Sequence, residues 1–185
     1  MSDLTSLWHA EHAQFAQLLN LLDAQINAFH EGESPNYELM HDVVFYLKHY
    51  ADRFHHPRED VAFQRLVAHD ASLRTKVARL VQEHRVIDAH GSELLERLAQ
   101  ATSDSVAVVP RGALESAAAT YLIYYRHHLG AEERDILPRA QKLLTDADWE
   151  AVKAAVTGDR PDPLFGEHPQ ERFKELRRQI VREAS

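Results

Sequence analysis

Two segments of the chain place a histidine and a glutamate four residues apart: His55 with Glu59, and His128 with Glu132. On an α-helix, residues at this spacing lie on one face about one turn apart. An imidazole and a carboxylate placed in this way can both reach one metal ion. The motif is short, and chance can produce it in a chain with 13 histidines, so by itself it is only a hypothesis.

A further histidine precedes each motif at nearly the same distance. His12 lies 43 residues before His55, and His84 lies 44 residues before His128. Each half of the chain therefore has one histidine and then, one helix-loop-helix later, a histidine–glutamate pair. This repeat predicts that six side chains converge at one level inside a helical bundle, where facing helices build cofactor sites. The six are His12, His55, Glu59, His84, His128 and Glu132.

The chemistry of this set points to a metal. Four neutral imidazoles and two carboxylates, with no thiolate, suit iron, manganese or zinc. The chain has no cysteine, which excludes disulfides, thiolate zinc sites, iron–sulfur ligation and cysteine nucleophiles. Two buried carboxylates would be costly without a cation beside them.

Apolar residues at helical spacing predict the elements that position these side chains. The predicted helices cover about residues 4–30, 37–66, 72–98, 113–138, 146–158 and 170–183. Pro57 should bend the second helix locally, because it lacks a backbone donor. Ser72 is expected to cap the third helix, and Asp146 or Asp148 to open the fifth, which ends at Gly158.

Four long helices with short connections predict an all-α fold, an antiparallel up-down-up-down four-helix bundle with short additional C-terminal helices. Residues 1–158 would form the metal-binding bundle, and residues 159–185 a linker and an amphipathic helix. The apolar side of that last helix, with Phe173, Leu176 and Ile180, either packs on the bundle or forms a homodimer contact. Its basic residues alternate with glutamates, which favours a solvated face.

The bulk properties restrict the partners. A net charge of −8 argues against binding of nucleic acid. No apolar run approaches the length of about 18 residues that a membrane helix needs. The N-terminal residues have neither the basic start nor the apolar stretch of a secretory signal. We therefore expect a cytoplasmic protein without nucleic-acid or membrane partners.

The strings FHHPRED (54–60) and HHLGAEE (127–133), with the pairs Glu11-His12 and Glu83-His84, resemble the hemerythrin, or HHE cation-binding, domain over about residues 5–140. The resemblance implies that the six residues are ligands of a non-haem di-iron centre, with Glu59 and Glu132 bridging the metals. It implies two iron ions joined by an oxo or hydroxo bridge, with manganese or zinc as substitutes.

The sequence departs from oxygen-carrying hemerythrins on the third helix, where those proteins place two histidines one turn apart. Here the positions four residues from His84 are Leu80 and Asp88, so we expect four histidines rather than five. Asp88 could be a further donor or an outer contact, although a solvated aspartate is the simpler interpretation. The open positions favour reaction with oxygen, peroxide or nitric oxide over reversible carriage.

His56 and His127 each adjoin a predicted ligand, and neighbours on an α-helix point about 100° apart. We assign His55 and His128 because each has a glutamate four residues later. His127 has Ala131 at that position, and His56 has Asp60, which leaves an ambiguity. The other histidines are expected at the surface: His9, His30, His41, His49, His69, His90 and His168.

Two further sets of residues are open to alternative interpretations. One of Tyr50, Tyr121, Tyr124 and Tyr125 could point its hydroxyl at a molecule on the metal, although core packing with a wet tip is favoured. Gly91 either leaves space for a small ligand or is a tolerated helix glycine.

Three function classes follow from this site. The protein binds or senses oxygen, nitric oxide or peroxide; or it is an enzyme that turns over peroxide or nitric oxide; or it serves iron storage, supply or iron–sulfur repair. Similar di-iron repair proteins usually carry a cysteine-containing N-terminal domain, and this chain has no cysteine, which weakens the repair assignment. We favour the first, because no separate proton-transfer group can be assigned.

Overall fold

The computed structural model describes residues 4–102, 110–156 and 162–183. These residues form eight α-helices, with no strand in the described part of the chain. The helices are α1 (Leu4–His30), α2 (Tyr37–Tyr46), α3 (His56–His69), α4 (Arg74–Thr102), α5 (Arg111–Asp135), α6 (Leu137–Leu143), α7 (Asp146–Ala154) and α8 (Lys174–Glu183). A π-helical segment, Leu47–His55, joins α2 directly to α3, so these three pieces form one long second helix.

Helix α1, the long second helix, α4 and α5 form an antiparallel four-helix bundle. Glu133 near the end of α5 pairs with His12 near the start of α1, whereas Glu115 near the start of α5 pairs with His30 at the end of α1. Helix α4 also runs antiparallel to the second helix and to α5. Lys48 pairs with Asp88 and Asp60 with His84, and Lys76 near the start of α4 pairs with Asp135 at the end of α5. The predicted all-α up-down-up-down bundle is therefore confirmed.

The turn between α1 and α2 follows from a few local residues. Gly32 adopts a φ of 79°, which a residue without a Cβ tolerates best. Glu33 then donates its backbone N–H to the Ala28 carbonyl at 2.9 Å, as in a Schellman motif. The Asn36 side chain accepts the Leu39 N–H at 3.0 Å and caps α2. This tight connection makes α1 and α2 antiparallel neighbours.

The start of the third helix differs from the prediction. Asp70, rather than Ser72, provides the cap, because its carboxylate accepts the Ser72 N–H at 3.0 Å. A short 3-10 turn, Ala71–Leu73, follows and leads into α4. Ser72 contributes a hydroxyl that donates to the same carboxylate.

The predicted fourth helix is divided into two. It ends at Asp135, and α6 begins at Leu137, because Pro138 has no N–H to donate and its ring would clash with the carbonyl four residues earlier. Helix α7 starts at Asp146 as predicted, with Thr145 as its cap. It ends at Ala154, and the predicted end at Gly158 lies outside the described residues.

The bundle core consists of two apolar clusters separated by a buried polar layer. A large cluster includes Phe15 and Ile87, and a small cluster includes Trp8 and Leu80. His12 lies between Trp8 and Phe15 along α1, and His84 lies between Leu80 and Ile87 along α4. The polar layer therefore crosses the bundle at one level, as the ligand repeat predicts.

The C-terminal segment packs on the bundle. Leu164 is fully buried, and Phe173 and Leu176 also belong to the large cluster. The predicted boundary between residues 158 and 159 lies outside the described residues, and the predicted homodimer remains a prediction. Within the described ranges, none of the helices is both long enough and apolar enough to cross a bilayer.

Candidate metal centre

The buried polar layer contains the six residues that the sequence singled out. Each of them is at most 6% exposed, although glutamate is almost never fully buried unless it is paired. Helix α1 supplies one, the second helix two, α4 one and α5 two. These six residues are His12, His55, Glu59, His84, His128 and Glu132.

Glu59 lies between histidines from three helices. Its Oε1 is 3.0 Å from His55 Nε2 and 3.4 Å from His12 Nε2. Its Oε2 is 3.5 Å from His84 Nε2. The two oxygens of one carboxylate therefore face different histidines.

Glu132 spans the layer in a similar way. Its Oε1 is 3.1 Å from His128 Nε2 and 3.5 Å from His84 Nε2. Its Oε2 is 3.6 Å from His12 Nε2. Two carboxylates that each face both sides of the layer are suited to bridging a pair of cations.

A carboxylate holds the other ring nitrogen of each of these histidines. The Nδ1 pairs are His12 with Glu133 (2.7 Å), His55 with Glu11 (2.6 Å), His84 with Asp60 (2.9 Å) and His128 with Glu83 (3.3 Å). When Nδ1 carries the proton and donates a hydrogen bond to the carboxylate, the lone pair of Nε2 is free to bind a metal ion. Metal-binding histidines are oriented by outer carboxylates in this way.

These residues fit a metal ion, because several of their buried nitrogen and oxygen atoms lack a hydrogen-bond partner. The Nε2 atoms of His12 and His55 lie 2.9 Å apart, and two lone pairs at that distance need a proton or a cation between them. Both oxygens of Glu59 and of Glu132 are buried without a hydrogen-bond partner among the described residues. Buried acceptors without partners are costly, and a coordinated cation removes that cost.

The electrostatics of the layer favour positive charge. Burial disfavours the charged form of His12, but Glu133 and Glu59 outweigh burial and raise its pKa to about 10. The pKa of His84 rises to about 12 for similar reasons, since Asp60 and the central carboxylates outweigh its burial. Burial would raise the pKa of Glu59, but the neighbouring histidines lower it well below its ordinary value. Metal ions that enter this layer therefore displace protons from the imidazoles.

The structure adds His56, whose role the sequence left ambiguous, to the residues of the layer. His56 is 4% exposed, and it offers a ring nitrogen within 4.8 Å of ligand atoms of Glu59, His84 and His128. A second group of atoms at the same mutual distance comes from His12, His55 and Glu59. The two groups share Glu59, so the layer has two adjoining positions suited to a metal ion.

The other candidate residues lie outside the layer. None of the remaining histidines is buried: His9, His30, His41, His49, His69, His90, His127 and His168. Asp88 is exposed and accepts a hydrogen bond from Lys48, which agrees with the solvated interpretation.

The tyrosines and Gly91 form part of the packing beside the layer. Tyr121 and Tyr125 are buried, and their hydroxyls have no hydrogen-bond partner among the described residues, whereas Tyr124 is 45% exposed. A Cβ on Gly91 would lie 3.2 Å from Cε2 of Tyr121. The missing side chain of Gly91 therefore accommodates the Tyr121 ring rather than a ligand.

A helical bundle crossed by a buried layer of histidines and glutamates defines a metal-binding four-helix-bundle protein. The family model of the hemerythrin HHE cation-binding domain matches residues 3–140. This match covers well over half of the chain, and the protein belongs to that family. No curated protein and no solved structure matches the chain.

Proposed function

We propose that this protein holds two iron ions in its buried layer and binds or senses oxygen, nitric oxide or peroxide there. One observation carries the proposal: Glu59 and Glu132 are fully buried, and each offers its two oxygens to histidines on different sides of the layer. Nitrogen and oxygen donors without thiolate suit several first-row metals. The resemblance to hemerythrins favours iron, which supplies redox chemistry and coordination positions for small molecules when it is bound.

The surroundings of the layer suit a small, weakly polar ligand. Trp8 and Phe15, both fully buried, lie on either side of His12 and shield the layer from bulk water. The ring of Tyr125 lies 6.1 Å from that of His56, and its hydroxyl is buried without a partner in the described part of the chain. A buried hydroxyl without a partner can donate a hydrogen bond to a molecule that binds beside it.

The first test is elemental analysis, with the absorption spectrum of the reduced protein before and after exposure to air. We expect about two irons per chain, as in other di-iron bundles, and new near-ultraviolet and visible bands in air. Purified protein that holds zinc alone, or that folds with no metal and cannot be loaded with iron, would overturn the proposal.

Variants test the predicted ligands. His55→Ala and Glu132→Ala should each lose metal, whereas His30→Ala, which changes an exposed side chain, should keep wild-type content. Full metal content in both site variants would mean that the ligand assignment is wrong.

The response to small molecules separates the proposed function from its alternatives. A reversible spectral change with oxygen or nitric oxide supports binding or sensing. Many turnovers of peroxide or nitric oxide without loss of iron would indicate an enzyme. Rapid transfer of iron to a chelator would indicate storage or supply. The near-complete burial of the six residues favours retention of the metal over rapid release.

A further inference from the structure

His56 lies in the same kind of environment as the four histidines that the spacing predicted. It is 4% exposed, and its Nε2 is buried without a hydrogen-bond partner among the described residues. The same holds for Nε2 of His84 and of His128, which are grouped with it around Glu59. An imidazole nitrogen that is buried and unpaired beside two others at one carboxylate is placed to bind a cation.

The other nitrogen of His56 also follows the pattern of the layer. Its Nδ1 lies 3.1 Å from an oxygen of Asp52, whose side chain is 10% exposed. Asp52 thus lies at Nδ1 of His56, on the same ring nitrogen that faces Glu11 in His55. All five buried histidines in the described residues therefore have a carboxylate oxygen within 3.3 Å of Nδ1. Metal-binding imidazoles are oriented by a carboxylate at this position.

The backbone explains how two adjacent histidines can both serve the layer. The segment Leu47–His55 is π-helical, and the His56 N–H donates to the carbonyl of Ala51, five residues earlier. A π-turn is wider than an α-turn, so the angle between neighbouring side chains differs from that of an α-helix. π-Helical turns are rare in proteins, and those that occur are often found at functional sites.

The two histidines consequently approach the layer from different directions. His55 meets His12 of α1, with their Nε2 atoms 2.9 Å apart. His56 stacks on His84 of α4, with ring centroids 4.2 Å apart and planes 11° from parallel. They therefore belong to two different groups of candidate ligand atoms, which share Glu59.

We infer that His56 is a fifth histidine ligand, bound to the metal that His84 and His128 hold, and that Asp52 is its positioning residue. The two positions then differ, with three histidines at one and two, His12 and His55, at the other. The inference rests on the proposed function, because it requires metal in the layer. The competing interpretation is a core histidine that is only packed on His84 and lies beside Asp52.

The test compares His56→Ala with a matched control, His127→Ala. His127 precedes the predicted ligand His128 in the sequence, as His56 follows His55, but its side chain is 49% exposed. Full-length protein is loaded anaerobically with Fe²⁺, and iron is counted after removal of the excess. We expect iron to fall from about two per chain to about one in His56→Ala and to be unchanged in His127→Ala.

A second variant keeps the inference testable if His56→Ala does not fold. Asp52→Asn preserves side-chain volume and should weaken one of two Fe²⁺-binding steps by about 10–100-fold, while the other step stays as in the wild type. A packing role alone would leave both binding steps unchanged.

The outcomes separate this inference from the proposed function. If the wild type binds two irons and both His56→Ala and Asp52→Asn also bind two with wild-type affinity and spectrum, His56 is not a ligand and the proposed function stands. If the wild type binds no iron, the proposed function fails, and this inference fails with it.

Discussion

At the scale of single residues, the carboxylates behind the histidines fix where the imidazoles point. Glu11 is the clearest case, because it is 5% exposed and its Oε2 lies 2.6 Å from His55 Nδ1. Its other oxygen lies 3.7 Å from the Arg58 guanidinium. The orientation of His55 therefore depends on a residue outside the set of predicted ligands.

Removal of Glu11 should weaken the centre without removing any of the predicted ligands. In Glu11→Ala, the Nδ1 of the fully buried His55 loses its acceptor, and we expect metal affinity to fall by about 10–100-fold. Competition with a chelator of known affinity measures the change. Glu31→Ala, which changes an exposed carboxylate, is the control. Equal affinities of the two variants would show that Glu11 does not orient His55.

The sequence predicted six of the seven residues that meet in the layer. His12, His84 and the two histidine–glutamate pairs were found because their spacing repeats between the halves of the chain. His56 was left ambiguous because the argument used the geometry of an α-helix, in which neighbours diverge. Pro57 was the available signal, since it marks the place where the hydrogen-bond ladder of the second helix changes.

At the scale of the elements, the helix caps depend on side-chain hydrogen bonds that hydrophobic periodicity does not detect. Asp148 shows this for α7. Its carboxylate accepts the Thr145 N–H at 2.9 Å and the Thr145 hydroxyl at 2.7 Å, and it pairs with His69 of α3 at 2.8 Å. Asp148 thus completes the capping box of Thr145 at the start of α7 and links α7 to α3.

Asp148→Ala should destabilise the protein in a pH-dependent manner. We expect a loss of about 1 kcal/mol in the free energy of unfolding at neutral pH, typical of a lost cap. Hydrogen bonds from Thr145 and His69 lower the pKa of Asp148 from 3.8 to about 2. Because the folded pKa is depressed, the stabilisation is present above pH 3.8 and is lost as the pH falls towards 2.

Urea unfolding at several pH values measures this effect. The difference between wild type and Asp148→Ala should be constant from pH 7 to 5 and should shrink below pH 4. Asp146→Ala, at the exposed first residue of α7, serves as the control. A difference that does not change with pH would rule out the charge of Asp148 as its origin.

At the scale of the whole molecule, the C-terminal segment is part of the bundle core. Tyr46 donates its hydroxyl to Asp162 at 2.8 Å, and the Phe173 ring lies edge-on to Tyr46 with centroids 5.8 Å apart. The sequence predicted an apolar side for the last helix. It could not decide between packing on the bundle and packing on a second copy, because both bury the same side.

Phe173→Ala should therefore lower the free energy of unfolding without lowering the metal content. Phe173 is 2% exposed, and removal of a buried phenylalanine side chain costs about 3–5 kcal/mol. Val181→Ala, at a position that is 60% exposed on α8, should have little effect. Urea unfolding measures both, and iron content per chain should match the wild type. Wild-type stability in Phe173→Ala would mean that the segment does not pack on the bundle in solution.

The division of the core into two apolar clusters has a consequence for how the protein unfolds. The clusters meet across a layer of buried histidines and glutamates rather than through direct apolar contacts. A metal pair held by all four bundle helices would act as an internal cross-link at that level. It would make two regions that can open separately into one cooperative unit. The same ions that give the layer its chemistry would then also determine whether the bundle melts in one step or two.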